Sequence, residues 1–177
     1  QEAELSLLLG LCLSRKVEPT GRTFWLGGTE VAQTRELSQF ACSGHVVKTV
    51  YDVVDAFWLL LNGCGIGVKP EAGCLNGFAR PIDDVEVIRS ERTEKGGEEH
   101  NTETWDPSTG TWTIRIGDSG EAWAKSIGKL VAGKYPARKL VFDFTQLRPE
   151  GSMLSRYGWR SSGDSVIAEE YPKIAAI

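Results

Sequence analysis

One cysteine, Cys42, lies in the middle of an apolar run, and it is the residue best placed to carry redox or nucleophilic chemistry. The glycine-rich segment Gly63–Gly67 follows it along the chain. A thiolate can exchange electrons with a second thiol by forming a disulfide. Glycine leaves the backbone bare, so that a ligand can approach it closely. The two features together suggest a thiol beside a ligand-accessible turn.

The segments around these features predict a strand–helix–strand unit. Phe40–Val47 is typical of a buried strand, and Thr49–Asn62 has the apolar periodicity of a helix with a broad buried face. Gly63 is placed to end this helix in a left-handed conformation, and Gly65–Val68 predicts the next strand. Such a unit lays its two strands parallel in a covered sheet. We therefore expect Cys42 and the glycine turn at one rim.

The remaining segments predict further helices and strands of an α/β domain. Residues 2–16 predict a buried first helix whose basic end suits a helix C-terminus. The spacing of Asp118 and Glu121 is typical of a capping box, so a helix is predicted to begin there and to end at Gly133. The other predicted elements are strands at 23–26, 85–89 and 140–144, a tight loop at 27–29, a polar connection at 30–38 and a hairpin at 104–116.

Composition and charge exclude several classes of protein. The 177 residues are 41% hydrophobic and 25% charged, which is ordinary for a globular domain with one core. The net charge of −4 gives no general affinity for nucleic acid or an anionic membrane. Leu5–Leu13 is too short to span a membrane and lacks the basic start of a signal peptide. Gln1, in place of an initiator methionine, indicates a start inside a longer protein.

The four cysteines allow other interpretations besides catalysis. They are too sparse for a disulfide framework and indicate cytosolic thiols. Cys12 and Cys64 are predicted to be packing residues. Of the possible metal ligands Cys42, His45, Cys64 and Cys74, only Cys42 and His45 have a ligand-like spacing. Because residues three apart on a strand point to opposite faces, no metal site is predicted.

Two further features are predicted to have structural or surface roles. Gly63–Gly67 ends a helix instead of opening one, so it is not a dinucleotide-binding fingerprint. The acidic run around Glu94, Glu98 and Glu99 indicates a solvated loop. Among the aromatic residues, core positions are predicted for Trp25, Trp58 and Trp123, and a ligand or partner surface for Trp105, Trp112 and Trp159.

Five motifs occur in one order, and together they resemble a known family. They are Gly21–Thr29, the Cys42 strand, Gly63–Gly67, Arg148–Gly151 and Ser161–Gly163. Their order is similar to the first half of the ten-stranded α/β barrel of ribonucleotide reductases. The closest resemblance is to the monomeric, adenosylcobalamin-dependent (class II) ribonucleoside-triphosphate form. It implies one partial barrel domain over residues 1–177, with an α+β insertion at about 79–138.

The resemblance also implies residue roles. Cys42 matches the first of two cysteines that reduce the ribose 2′ position. Ala41 and Ser43 flank it where the family's backbone meets the substrate. Gly28 and Thr29 match the loop that approaches the substrate phosphates. The substrate-binding positions implied by the resemblance are Gly28, Thr29, Ala41, Ser43 and Gly65, the last of them beside the ribose.

Cofactor and partners follow from the same resemblance. It implies adenosylcobalamin as cofactor, a ribonucleotide as substrate and a deoxynucleotide effector whose site the insertion helps to build. It also implies a thioredoxin-like reductant and a second polypeptide that supplies the remaining, C-terminal part of the reductase. No nucleic acid or membrane partner is expected. The location is expected to be cytoplasmic, in the host cytoplasm if the gene is carried by a phage.

Several of the family's residues cannot be identified in this sequence. The thiyl-radical cysteine of the finger loop, the second redox cysteine and the C-terminal thiol pair have no counterpart. Gly158–Trp159 stands where the family has two glycines, and Asp164 where it has proline. The chain alone is therefore not expected to reduce a ribonucleotide. The alternative is a non-catalytic nucleotide-binding, regulatory or structural module derived from a reductase.

Overall fold

Cys42 and Gly65 open two neighbouring parallel strands, so the predicted strand–helix–strand unit is confirmed. The computed structural model describes residues 2–18, 20–78, 82, 84–89, 96–154 and 160–176, except the side chain of Glu36. Strands β1 (Cys42–Val47) and β2 (Gly65–Pro70) pair in parallel, with Cys42 opposite Gly65. Helix α4 (Val50–Leu61) connects them.

The ends of α4 are fixed by local hydrogen bonds and by a glycine. Thr49 and Asp52 form a capping box at its start, and the Asp52 carboxylate accepts hydrogen bonds from the Lys48 and Thr49 backbone N–H groups. These backbone hydrogen bonds hold the pKa of Asp52 below its usual value. At the other end Gly63 has a φ of 79°, the left-handed conformation that the sequence predicts.

A second sheet carries the buried core. It has the strand order β3 (Val85–Ile88), β6 (Lys139–Asp143), β5 (Thr111–Arg115) and β4 (Thr102–Asp106). β6 is parallel to both of its neighbours, and β4 and β5 form the predicted antiparallel hairpin. The buried cluster packed on this sheet lies entirely between residues 82 and 175, and its largest members are Trp112, Phe142, Phe144 and Tyr171.

Helix α5 (Gly120–Val131) packs closely against α4, and two of its glycines allow this contact. A Cβ atom on Gly128 would lie 2.6 Å from Cγ2 of Val54. A Cβ atom on Gly120 would lie 2.9 Å from the Trp58 ring. Because real Cβ atoms do not approach other atoms so closely, larger residues at these positions would push the two helices apart.

The sequence predicts no helix or strand for the segment that forms helix α6 (Ser165–Ala175). Ile167, Tyr171 and Ala175 recur at helical spacing and are buried, but Pro172 inside the helix obscures the pattern. The Tyr171 hydroxyl shares a buried hydrogen bond with Ser126 of α5. Burial raises the pKa of Tyr171 well above its usual value. Two helices are therefore joined by a polar contact inside an apolar core.

The prediction of a strand at 23–26 is wrong, because this segment lies in helix α2 (Gly21–Leu26). Thr20 caps the helix by accepting a hydrogen bond from the Thr23 N–H, and the Gly27 N–H closes it onto the Thr23 carbonyl. These local bonds outweigh the strand propensity of the apolar residues. The predicted polar connection at 30–38 instead forms helix α3 (Glu30–Thr34) and a 3-10 turn at Glu36–Gln39.

The predicted burial of the N-terminal half is also wrong. Helix α1 (Glu2–Leu13) forms as predicted in type but has no buried residue. In β1 only Val47 is buried, and Cys42 is exposed. β1 has β2 as its only neighbour among the described residues, so its other edge and much of its surface lie open. No helix within the described ranges is long and apolar enough to cross a membrane.

The start of α5 differs from the predicted capping box. Ser119 is the cap, because its side chain accepts a hydrogen bond from the Ala122 N–H, whereas Asp118 binds Arg148. The helix ends at Val131, two residues before Gly133.

The predicted insertion at about 79–138 contains strands β3–β5 and helix α5. The sheet formed by these strands also includes β6, which lies after the predicted insertion. Residues 79–81 lie outside the description, and the insertion stays a prediction.

The burial of several tryptophans differs from the prediction. Trp112, predicted for a surface, is fully buried in the core, whereas Trp25, predicted for the core, is 61% exposed. Trp105 is half-buried and stacks on Tyr135. Trp58 and Trp123 are half-buried and line a cleft that is described below. Trp159 lies outside the described residues.

Candidate functional site

Cys42 lies at the open start of β1, directly beside the start of β2. The Gly65 N–H donates a hydrogen bond of 2.8 Å to the Ala41 carbonyl. A Cβ atom on Gly65 would lie 4.0 Å from Cys42 Sγ. The exposed thiol therefore has bare backbone next to it, where a ligand has room. The structure brings together Cys42, Ala41 and Gly65 as the sequence predicts.

Arg22 of α2 holds the neighbouring segments to this rim, and the sequence analysis did not single it out. Its guanidinium donates 3.0 Å and 2.7 Å hydrogen bonds to the carbonyl oxygens of Ser38 and Gly63. These carbonyls belong to the segment before β1 and to the turn between α4 and β2. One side chain thus joins three pieces of chain. The signal in the sequence was a lone basic residue within the apolar, glycine-rich motif Gly21–Thr29.

Gly28 and Thr29 lie in the exposed turn that follows α2. Gly28 has a φ of 77°, a conformation that favours glycine. Thr29 caps α3 and donates a 2.6 Å hydrogen bond to the Leu26 carbonyl. The turn is tied to the rim through α2 and Arg22. A phosphate-binding role for Gly28 and Thr29 stays a prediction.

Ser43 is the remaining residue for which the resemblance implies a substrate contact, and Cys12, Cys64 and Cys74 are the remaining thiols. Ser43 is half-buried and lies opposite Ile66 in the strand register. Cys64 is buried, and its thiol points to the Gly65 carbonyl, in accordance with a packing role. Cys12, predicted as a core residue, is half-buried on the exposed helix α1. All four cysteines are free thiols, so Cys42 has no disulfide partner in this structure.

A cleft of about 390 Å³ opens at the same end of α4 as the Cys42 rim. Trp58 and Leu61 of α4 and Trp123 of α5 supply its apolar surface. Its other walls combine cations, acids and hydroxyls. They are formed by Arg35, Glu99, Asp118, Ser119, Arg148, Arg160, Ser161 and Ser162, among others. Indole rings stack on nucleobases, and guanidinium groups bind phosphate, so the lining has the chemistry of a nucleotide site.

Asp118 and Arg148 form the polar floor of this cleft. Arg148 Nε donates to both carboxylate oxygens of Asp118, at 2.9 Å and 3.1 Å, and its backbone N–H donates at 3.1 Å. The pair joins the start of α5 to the segment that leads into the turn at Gly151. Backbone hydrogen bonds between Gly151 and Ser161 and between Ser161 and Ser152 stabilise this turn.

The described residues form no ready site for a metal or a corrin. No cluster of three or more metal-ligating side chains occurs within the described ranges. The cleft lies near the lower end of the range for small-ligand pockets, which begins at about 300 Å³. A corrin ring with its nucleotide tail and adenosyl group is much larger. The described residues alone therefore do not fit adenosylcobalamin.

The fold is similar to that of a solved enzyme. A crystal structure of a B12-dependent (class II) ribonucleotide reductase matches with a TM-score of 0.69 and 16% sequence identity. The match covers 93% of this chain and 28% of that chain. No family model matches the sequence. No curated protein matches it either.

The structural match confirms the predicted resemblance at the level of the fold. The chain is a mixed α/β protein with a parallel sheet and a mixed sheet, and it has the fold of part of a class II reductase. It spans 28% of the length of the reductase that it matches. The assignment to the opening half of a ten-stranded barrel stays a prediction.

Proposed function

We propose that this chain is part of a ribonucleotide reductase in which Cys42 is one of the two thiols that reduce the substrate. The observation that carries the proposal is the exposed Cys42 thiol beside Gly65 at the open rim of a reductase-like fold. In the proposed reaction the ribose loses its 2′ hydroxyl as water. Two thiols supply two electrons and two protons and close to a disulfide.

This role requires a second thiol within bonding distance of Cys42. The buried Cys64 is not suited to it, because its sulfur points to the Gly65 carbonyl. In this proposal the second thiol belongs to a further polypeptide segment that completes the enzyme. A thioredoxin-like reductant would return the disulfide to two thiols after each turnover.

The implied cofactor, substrate and effector belong to this same proposal. Adenosylcobalamin would supply a radical when bound, but the described residues alone do not fit it. The substrate is a ribonucleotide, with a triphosphate implied by the resemblance, and the effector is a deoxynucleotide. The cytoplasmic location and phage origin stay predictions.

The test is Cys42→Ser in the assembled enzyme, with Cys74→Ser as the matched control. Cys42→Ser should abolish multiple-turnover formation of deoxynucleotide, because the disulfide can no longer form. Cys74→Ser should leave turnover unchanged, because half-buried Cys74 has no role in the proposed reaction. Full multiple-turnover activity of Cys42→Ser would reject the assignment.

A second candidate function is a nucleotide-binding module without chemistry, and the cleft at Trp58 and Trp123 favours it. The two indole rings would stack on a nucleobase, and Arg35 and Arg160 would contact its phosphates, because Arg148 is already paired with Asp118. Titration of the isolated chain with dATP should then quench tryptophan fluorescence. Arg160→Ala should weaken binding at least about tenfold, as expected for loss of one charged contact. Unchanged fluorescence up to millimolar dATP would reject this candidate.

A further inference from the structure

We propose that the exposed apolar surface of residues 2–78 is the docking surface for a polypeptide that supplies further parallel strands of a reductase-type fold. We call it the N-terminal apolar surface and define it by the α1 leucines, Phe24 and Trp25 of α2, and Val68 of β2. The inference rests on the proposed function, since it names the partner that completes the Cys42 rim.

Helix α1 is apolar on all sides. Leu5, Leu7, Leu8, Leu9 and Leu13 are 51–78% exposed, and none of the residues of α1 is buried. Successive helical residues are rotated by about 100°, so these leucines point in several directions around the axis. A helix that is hydrophobic all round belongs in the core of a larger body. A single flat contact would cover only one of its sides.

The β1–β2 sheet needs neighbours as well. Parallel sheets are normally covered on both faces, and a two-stranded sheet is marginally stable by itself. Yet β2 has one half-buried residue, Ile66, and the rest of the strand is exposed, including the apolar side chain of Val68. Each of the two strands has one free edge within the described part of the chain. Such edges are templates for another strand.

The distribution of apolar residues is uneven along the chain. Among the residues that the structure describes, 14 of the 18 exposed large hydrophobic residues lie between Leu5 and Phe78. The main buried cluster lies between Ile82 and Ala175. The second half of the chain thus has a core of its own, whereas the first half buries few apolar residues and exposes many large ones. Exposed apolar area of this kind marks an interaction surface.

The match to the class II reductase indicates what covers this surface. That chain extends well beyond the 28% of its length to which this protein corresponds. An enclosing polypeptide with parallel strands would pair the free edges and bury α1 on several sides. A membrane is a poorer occupant, because α1 has 12 residues and spanning requires about 20.

The experiment places the photo-crosslinking residue p-benzoylphenylalanine at Leu8 in the chain, expressed in its native cells. The matched control carries it at Val166, which is 65% exposed on α6 in the other half. Crosslinked products are identified by mass spectrometry. We expect a product from position 8, and none from position 166, with a polypeptide that has alternating strands and helices and a reductase-type cysteine.

A second pair of variants measures the surface independently. The double substitution Leu7→Lys with Leu9→Lys should leave thermal unfolding of the isolated chain unchanged, because neither side chain is buried. It should weaken association with the crosslinked partner at least about tenfold, as for a hot-spot residue. Val166→Lys should change neither property.

The outcomes separate this inference from the proposed function. Crosslinks between two copies of this chain, crosslinks to a protein of another fold, or unchanged association of the leucine variant would each overturn the docking surface. A reductase-type partner together with a fully active Cys42→Ser enzyme would support the surface and reject the catalytic role. An inactive Cys42→Ser enzyme whose partner crosslinks only to position 166 would support the catalytic role of Cys42 and reject the docking surface.

Discussion

Cys42 and Gly65 are direct neighbours across two parallel strands, and the sulfur of one faces bare backbone of the other. A Cβ atom on Gly65 would lie 4.0 Å from Cys42 Sγ and 3.6 Å from the Ala41 carbonyl oxygen. Both are ordinary contact distances, so glycine is not needed for the fold at this position. Its absence of a side chain leaves space beside the thiol. Cys64, by contrast, is buried.

We predict that Gly65→Ala folds normally and slows alkylation of Cys42 by iodoacetamide. The added methyl group would occupy the space next to the sulfur, so a several-fold slower reaction is expected. Gly67→Ala is the control, because its Cβ would approach only the Ser43 carbonyl, at 4.0 Å. Mass spectrometry of the Cys42 peptide gives both rates. Equal rates in the two variants would contradict the proposed geometry.

Gly128→Ala is expected to destabilise the protein although alanine favours helices. The gain in helix propensity is about 1 kcal/mol, whereas overpacking costs about 1–3 kcal/mol. The new Cβ would lie 2.6 Å from Val54 Cγ2, so α4 and α5 would have to separate. Val54→Ala in the same chain removes the clash. Urea unfolding should therefore show a double variant more stable than the sum of the two single changes predicts.

Arg148→Lys should loosen the floor of the cleft. Lysine keeps the charge but cannot reproduce the hydrogen bonds from Nε to both oxygens of Asp118. Loss of this contact is expected to cost about 1–3 kcal/mol. Hydrogen exchange should become faster at the backbone amides of Gly151 and Ser161. Lys173→Arg, in an exposed ion pair on α6, is the control and should leave these rates unchanged.

Glu103 should make the stability depend on pH in the acid range. It accepts a hydrogen bond from Trp112 Nε1 at 3.3 Å and forms ion pairs with Lys129 and Lys134. Burial raises the pKa of Glu103, but its hydrogen bonds and the charges of the two lysines outweigh this and lower the pKa below the usual 4.5. Since the folded pKa is the lower one, the stabilisation is present above pH 4.5 and is lost as the pH falls below it.

The corresponding variant is Glu103→Gln, measured by urea unfolding between pH 3 and pH 7. It should be less stable at pH 7 by about 1–3 kcal/mol, because two lysines lose their partner. It should also lose less stability on acidification than the parent chain. Glu169→Gln, on the exposed surface of α6, is the comparison and should change the acid dependence less than Glu103→Gln does, because its ion pair with Lys173 is screened by solvent. A parallel decline of Glu103→Gln and the parent would show that Glu103 does not titrate as proposed.

The elements that the sequence predicted correctly have strong local signals. α4 has an apolar face, a capping box and Gly63 at its end, and all three act within a few residues of chain. The β4–β5 hairpin is likewise defined by alternating residues around the turn at Asp106–Gly110. Helix α2 was missed because a threonine cap outweighed strand-like residues, and α6 was missed because of its proline.

Burial and the cleft depended on contacts between distant residues. The apolar run that predicts a buried strand at Cys42 is the same whether or not neighbouring strands are present, so the sequence did not reveal the exposure of Cys42. Similarly, Trp112 and Trp25 have the same residue type, but only packing of β5 between β4 and β6 buries Trp112. The cleft joins residues from Arg35 to Ser162, and no spacing rule connects them.

The sequence by itself determined the strand–helix–strand unit, the place of Cys42 beside a glycine turn and the resemblance to a class II reductase. These depend on local periodicity, caps and motif order, which a chain carries wherever it folds. Only the tertiary structure decided that Arg22 ties α2 to the rim, that Asp118 binds Arg148 instead of capping α5, and that α1 lies open. Hydrogen bonds and burial between residues far apart in the chain arise only when the elements pack together.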